Sequence, residues 1–407
     1  MLCQFTFWNY KSYKDEVTLD FCPAKVTEHK EHLLKEPITC EEFLPIAVIY
    51  GPNGGGKTVV INSFRFLRAK ILDIDHSAKG SEENNEYEQI SFLFDRTYSK
   101  SPTGWCVSFI TAGYEYKYLL AILGNQVSAE SLHAKNLETG EFDMLFEREY
   151  GKIELGETFS DIQAGNVKAE LPLLSFISKL YSHEHILNII RWFKGITVID
   201  NAGSVAERFI YFPDDKDDDS FKSEFYRLLH SMGIQIDGMR VSKDSEGKVQ
   251  NIFTVYNYSD NEIHIEFKHE SSGTQKIFSF LRYVVRAIQE GRPIFIDELD
   301  AKLHPKLLEV IISLFTNPKV NQNGAQLIIT SHDLHILNNK YLRRDEIWFA
   351  AKSDDFSSHL YSLSDFKKIS SNGNKTRKDE NYAKQYLEGR YGADPYFQRI
   401  ESWVVET

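Results

Sequence analysis

One octapeptide constrains this chain more than any other stretch: Gly51-Pro52-Asn53-Gly54-Gly55-Gly56-Lys57-Thr58. It has the P-loop pattern of a glycine, four free positions, then Gly-Lys-Thr. That pattern carries meaning only between a strand and a helix. Ile46-Ala47-Val48-Ile49-Tyr50 reads as a buried strand before it, and Val59 to Ile71 as an amphipathic helix after it. Glycines let backbone N–H groups wrap phosphates, and the helix N-terminus adds partial positive charge. Asn53, Gly54 and Gly56 belong to that wrap. Lys57 reaches the β- and γ-phosphates, and the Thr58 hydroxyl is placed to hold Mg²⁺. The competing reading, a chance glycine-rich turn, leaves both flanks unexplained. The chain is expected to bind a nucleoside triphosphate.

Composition sets outer bounds on the rest. At 407 residues the chain is long for one core, so two or three substructures are expected. Hydrophobic content of 42% with 26% charged residues describes a soluble globular protein. The longest apolar stretch, Phe43 to Tyr50, is too short to cross a bilayer, and Met1 to Phe5 lacks a secretory pattern. Cys3, Cys22, Cys40 and Cys106 show no Cys-x-x-Cys pairing, which points away from disulfides and zinc knuckles. A reducing cytoplasm, with no membrane partner, is expected. The net charge of −12 gives no global attraction to nucleic acid, so DNA binding would need a local basic patch.

In chain order, Leu2 to Phe7 and Glu16 to Phe21 read as strands, and residues 22–42 as a loop. Ser77 to Glu86 is polar. Short β-like runs follow at Ile90 to Phe94, Trp105 to Thr111 and Tyr116 to Leu123, an antiparallel section. Residues 158–235 read as helical, with apolar spacing over Leu173 to Tyr181 and Ile186 to Phe193. The acidic run Asp214 to Asp219 reads as a solvated loop rather than a metal site. Met239 to Phe267 returns to strands. The expected organisation is therefore 1–157, 158–235 as a helical insertion, and 236–407.

A second cluster begins at Glu270. Ser271-Ser272-Gly273-Thr274-Gln275-Lys276 opens a helical run, Ile277 to Gln289, with the helix itself expected to start near Gln275. Arg292 to Ile296 is an apolar strand ending in Asp297-Glu298. In P-loop enzymes an aspartate at such a strand end holds Mg²⁺, and a carboxylate beside it can polarise water. Leu299-Asp300 follows, and Gln326 to Thr330 is a further strand ending in Ser331-His332. Singly, these could be a helix cap, a surface acidic pair and a buried histidine. In this order after a P-loop, chance explains them poorly.

The series of P-loop, Ser-Ser-Gly-Thr-Gln, strand with Asp-Glu, Leu-Asp and Thr-Ser-His resembles the ATP-binding-cassette (ABC) ATPases. The opening Phe7-Trp8-Asn9-Tyr10-Lys11-Ser12-Tyr13 resembles their RecF-like and SMC-type branch. Glu346 to Phe349, Leu360 to Phe366 and Gly389 to Ala393 resemble the tail of the OLD-like ATPases of bacterial abortive-infection systems. The implied fold is α/β: an ABC-type P-loop core with an antiparallel β section and a helical insertion. The implied cofactors are ATP and Mg²⁺. Lys57 and Thr58 would hold phosphate and metal, Asp297 would complete the metal site, and Glu298 would be the general base. His332 matches the switch histidine that senses the γ-phosphate. Ser272 and Gly273 match the signature that caps a nucleotide bound by a second subunit, and Lys11 is carried as a further nucleotide contact. Ser271 and Thr274 depart from the leucine and glycine of transporters. The glutamine loop has no clear counterpart, and Gln89 matches it by position alone.

OLD nucleases continue into a Toprim domain with a glutamate and an Asp-x-Asp pair. The segment after His332 is short for one, and Glu346 with Asp354-Asp355 lacks the spacing, so a β-hairpin with a polar turn is the better reading. Two-gene relatives, PARIS-like and Septu-like, place the effector on another polypeptide. The resemblance thus implies a homodimer or higher homo-oligomer closed by an ATP sandwich. It also implies an effector from a neighbouring gene and a trigger that is DNA or a phage protein. The alternative is a RecF-like DNA-repair ATPase. The basic residues Lys367, Lys368, Lys375, Arg377 and Lys378 bear on that choice, although a solvated loop is the simpler reading of them.

Overall fold

The structure is a computed structural model and describes residues 1–72, 90–165, 167–199, 219–245, 249–366 and 381–393. The N-terminal part runs β1 (Leu2–Trp8), β2 (Val17–Asp20), β3 (Leu34–Lys35), β4 (Glu42–Phe43), β5 (Ile46–Tyr50) and α1 (Lys57–Leu72). Then come β6 (Thr103–Thr111), β7 (Tyr114–Leu123), β8 (Gln126–Asn136), β9 (Phe142–Glu149) and β10 (Lys152–Leu155). The middle holds α2 (Leu173–Leu180), α3 (Glu184–Gly195), β11 (Thr197–Ile199) and α4 (Asp219–Ser231), followed by β12 (Gly238–Lys243), β13 (Val249–Tyr258) and β14 (Asn261–Glu266). The rest is α5 (Ser272–Glu290), β15 (Pro293–Ile296), α6 (Pro305–Thr316), β16 (Gln326–Thr330), β17 (Ile347–Lys352), β18 (Ser358–Ser362) and α7 (Tyr382–Leu387).

Among the described residues the strands form two main sheets. The central sheet has the order β11-β15-β16-β5-β17-β18, parallel through β17 with β18 antiparallel at its edge. The second is antiparallel, β10-β9-β8-β7-β6-β1-β2. A separate antiparallel sheet, β12-β13-β14, precedes α5. The mixed α/β fold with an antiparallel section is thus the one expected.

The central sheet is parallel because both its faces are covered. Every residue of β5, β15 and β16 is buried, the continuous apolar pattern such sheets require. Strand periodicity divides them between two cores. Ala47, Ile49, Phe295 and Ile328 face α1, α2, α3 and the antiparallel sheet. Ile46, Val48, Ile294, Ile296, Leu327 and Ile329 face α4, α5, α6 and α7.

Helix α1 is held between the two sheets. Phe64 stacks on Phe295 of β15 with ring centroids 4.2 Å apart and meets Phe5 of β1 edge-on at 5.1 Å. Phe66 stacks on Trp105 of β6 at 5.0 Å, and Trp105 Nε1 donates to Ser63 Oγ at 2.9 Å. Burying a ring of this size contributes about 1.5–3 kcal/mol. These contacts fix the helix that carries Lys57 and Thr58.

Four expectations need correction. Ile90 to Phe94 forms no strand: its backbone bonds to the turn after β1, with Ile90 O accepting from Lys11 N–H (2.6 Å) and Phe92 N–H donating to Asn9 Oδ1 (3.0 Å). Residues 22–42 are not all loop, because a 3₁₀ turn, Lys30–His32, leads into β3, which pairs with β4. The stretch 158–235 is not purely helical. Its Thr197–Ile199 joins the central sheet parallel to β15, a three-residue strand too short to show a period. Helix α5 starts at Ser272, not near Gln275, because Ser271 is its N-cap and accepts the Thr274 N–H at 3.1 Å.

The hairpin expected after His332 is present as β17–β18, with Asp354 and Asp355 in its turn. No helix of the described residues is long and apolar enough to cross a membrane. Gln89, Ser77 to Glu86, Asp214 to Asp218 and the basic segment 367–378 lie outside the described residues.

Candidate nucleotide-binding site

The P-loop connects β5 to α1 at the C-terminal edge of the parallel sheet. Gly51 has φ 151°, and a Cβ there would lie 2.1 Å from Ala350 O of β17. Gly56 has φ 108°, and a Cβ there would approach Ser358 Oγ to 2.7 Å. Tyr13 Oη donates to Gly56 O at 3.3 Å, and Ser358 N–H donates to Ser12 O at 2.7 Å. The loop is therefore walled by β17, β18 and the N-terminal turn, and only glycine fits those two positions. Asn53 and Gly54 form its exposed tip.

Lys57 is only 6% exposed, and its Nζ donates to Gly51 O (2.8 Å) and Pro52 O (3.1 Å). Burial lowers its pKa, while Asp297, Glu298 and Asp300 oppose that shift. The Lys57 Nζ thus sits inside the glycine cradle, held by two backbone carbonyls.

The expected metal residues come together. Thr58 Oγ1 lies 3.1 and 3.0 Å from the two carboxylate oxygens of Asp297, which is 2% exposed at the end of β15. Thr330 Oγ1, at the end of β16, donates to Asp297 Oδ1 at 2.6 Å and accepts the Glu298 N–H at 2.7 Å. Asp297 N–H donates to Ile199 O of β11 at 2.9 Å. Hydroxyl and carboxylate oxygens at one strand edge suit a hard divalent cation such as Mg²⁺. Glu298 is half-buried with φ 47°, a left-handed backbone uncommon outside glycine and asparagine and found at functional sites.

The other expected residues border this centre. His332 is exposed, and its backbone N–H donates to Asp300 Oδ2 at 3.0 Å, while Asp300 Oδ1 is buried without a hydrogen-bond partner among the described residues. Ser272 is exposed and Gly273 half-buried in the first turn of α5, and a Cβ on Gly273 would lie 3.2 Å from Lys302 O. The first turn of α5 thus packs on the loop that follows Glu298. Lys11 is exposed, with its Nζ 5.8 Å from the Tyr10 ring centroid; Ser12 and Tyr13 make the contacts to the P-loop region. Glu346, by contrast, is fully buried in the turn before β17 and accepts the Arg343 N–H at 2.7 Å.

A family model described as "AAA domain, putative AbiEii toxin, Type IV TA system" matches residues 46–338, from β5 to beyond β16. The chain belongs to this AAA-domain family. Similar solved structures include "Crystal structure of the SmcHead bound to the C-winged helix domain of ScpA", at 11% identity and TM-score 0.43, covering 89% of this chain and 97% of that one. Another is the Smc head domain with an extended coiled coil bound to the C-terminal domain of ScpA derived from Pyrococcus furiosus. It has 11% identity and TM-score 0.36, covering 89% of this chain and 96% of that one. No curated protein matches the chain.

In this AAA-domain chain, three residues without an assigned sequence role join the site. Thr330 links Asp297 to the Glu298 amide, and its only sequence signal is its place at a strand end before Ser331-His332. Asp300 ties the Glu298 loop to His332. Lys276, 3% exposed on α5, donates from Nζ to Glu298 O at 3.4 Å. Burial pushes its pKa down to about 8, against the pull of Glu298, Asp300 and Asp297. A lysine directly after Gln275 on an otherwise apolar helix face was the available signal.

Proposed function

We propose that the chain binds Mg-ATP at the P-loop and hydrolyses it. The bond set Thr58–Asp297–Thr330–Glu298 carries this reading. Asp297 and Thr58 present oxygens for Mg²⁺, Lys57 offers its charge to phosphate, and Glu298, next in the chain to Asp297, would be the base that accepts a proton from water. When bound, the metal would neutralise phosphate charge; the protein's share is to fix these oxygens in place.

Two chains closing around nucleotide through Ser272 and Gly273 would turn nucleotide binding into a change of assembly. That change would control a separate effector in an abortive-infection system. The family description, which names a toxin and a type IV toxin–antitoxin system, supports this role.

The test is nucleotide binding and turnover of the full chain beside Lys57→Ala and Glu298→Gln. Lys57→Ala should lose ATP binding. Glu298→Gln should bind ATP and hydrolyse it about 10²-fold more slowly. Turnover near the wild-type rate in Glu298→Gln sinks the assignment. Failure of the neighbouring gene product to associate with the chain, with or without ATP, sinks the effector role alone.

A further inference from the structure

The loop between β2 and β3, ahead of the P-loop in the chain, carries His29-Lys30-Glu31-His32, unused by the nucleotide site. His29 precedes a single 3₁₀ turn and has a left-handed backbone, φ 45°. The imidazoles of His29 and His32 stack with centroids 4.6 Å apart, and one ligand atom from each of His29, Glu31 and His32 falls within 4.8 Å of the others.

Hydrogen bonds fix which nitrogens are free. His29 Nε2 lies 2.6 Å from Asn339 O. A carbonyl only accepts, so Nε2 carries the proton and Nδ1 carries the lone pair in the neutral ring. That Nδ1 faces Glu31 Oε1 at 3.2 Å. Lone pair against carboxylate is repulsive unless a cation, a proton or a metal ion, sits between them. His32 Nδ1 lies 3.3 and 3.4 Å from the carboxylate oxygens of Glu346, which is fully buried. Donation to that carboxylate leaves His32 Nε2 as the ligating nitrogen.

Each histidine therefore has one nitrogen tied to an oxygen acceptor and the other available, the arrangement that orients metal-bound imidazoles. The separation of His29 Nδ1 from Glu31 Oε1 also fits. Two ligand atoms bonded to one tetrahedral zinc at ~2.0–2.1 Å lie about 3.3 Å apart.

We propose that His29, Glu31 and His32 form a binding site for a borderline divalent transition metal of the zinc class, with Glu346 and the Asn339 carbonyl as its orienting partners. Two imidazoles and a carboxylate select such an ion over Mg²⁺, which prefers an all-oxygen set. Water completes the tetrahedron, since Glu31 is 64% exposed in its side chain. The site lies on a seam. The same loop is held to the segment before β17 by Arg343 Nη1 donating to Glu28 O (2.7 Å) and by Arg344 Nε with Glu28 Oε1 (2.6 Å). The ion would lock the N-terminal loop that these bonds and the Asn339 and Glu346 contacts hold to the C-terminal half of the chain, independently of nucleotide.

Untagged full-length chain, stripped with a chelator, is titrated with Zn²⁺ alone, with Co²⁺ as an optical probe. One Zn²⁺ per chain is expected, with tetrahedral Co²⁺ absorption and a raised Tm. Glu31→Gln and His29→Ala should each weaken Zn²⁺ binding tenfold or more, Glu31→Gln while retaining the metal-free Tm; Lys57→Ala should leave Zn²⁺ binding unchanged. Glu31 is exposed enough that its variant tests ligation and not folding. Absence of stoichiometric Zn²⁺ in the stripped, refilled chain overturns the site. So does binding that neither Glu31→Gln nor His29→Ala reduces.

Discussion

Thr330 Oγ1 donates its proton to Asp297 Oδ1 across 2.6 Å, joining the ends of two adjacent parallel strands. The same oxygen accepts the Glu298 N–H at 2.7 Å, so one hydroxyl sets both the expected metal carboxylate and the backbone of the expected base. Thr330 is fully buried. Thr330→Val keeps the shape and removes the hydroxyl, leaving an amide and a carboxylate oxygen short of a partner, at about 1–3 kcal/mol. ATP turnover should fall about tenfold or more, whereas Thr330→Ser should retain most of it. Steady-state hydrolysis of the two variants checks this, and equal rates would remove Thr330 from the site.

Phe64 ties α1 to both sheets through Phe5 and Phe295 and is fully buried. Phe64→Ala opens a cavity between three layers and should cost about 3–5 kcal/mol. Chemical denaturation should show a lowered midpoint, and Phe64→Leu should lose distinctly less. Unchanged stability in Phe64→Ala would mean that this aromatic contact does not fix the helix.

Lys276 predicts a pH dependence. Its pKa is pushed from an ordinary 10.5 to about 8 by burial. Below pH 8 the ammonium is charged in both folded and unfolded chains, and its burial cost is present in full. Between about 8 and 10.5 only the unfolded chain keeps the proton, so this group's contribution to stability rises with pH. Activity should move the other way, because the charged form holds Glu298 O. Turnover should fall as pH passes through about 8, and Lys276→Arg, which stays charged, should shift that fall upward. A pH–rate profile with the same alkaline limb in wild type and Lys276→Arg would exclude the lysine as its source.

The P-loop, the Asp297-Glu298 strand end and the helix that opens at Ser272 are all legible in local residue order. Their flanks, Ile46 to Tyr50 and Pro293 to Ile296, are short apolar runs that fit buried strands. Thr330 is not legible as a site residue, because its role depends on the register that sets β16 beside β15. Ile90 to Phe94 misleads because Ile90 and Phe92, buried against the turn after β1, alternate as strand residues would. Thr197–Ile199 is hidden by length, since three residues show no periodicity. The pairing of His29 and His32 with the Asn339 carbonyl and Glu346 escapes for a further reason: those partners meet the loop only by tertiary contact, over more than 300 residues of chain.

Ser272 tests whether nucleotide binding is a signal between chains. The structure puts it in the exposed first turn of α5, capped by Ser271, with Gly273 packed against the loop after Glu298. The first turn of a helix has N–H groups without intrahelical partners, and its dipole favours an anion. If a second chain's nucleotide fills that position, the contact is two-fold symmetric and each dimer encloses two nucleotides. Glu298→Gln, which should hold ATP without turning it over, is the background in which the closed state accumulates. In that background ATP should shift sedimentation from monomer to dimer, and ADP should not, since only the triphosphate reaches both chains. Adding Ser272→Arg places a bulky cation on the contact and should abolish the ATP-driven dimer. Binding of ATP to the chain's own P-loop should survive. A monomer with and without ATP in Glu298→Gln, or an ATP-driven dimer unaffected by Ser272→Arg, would sink the sandwich and leave an ATPase that acts alone.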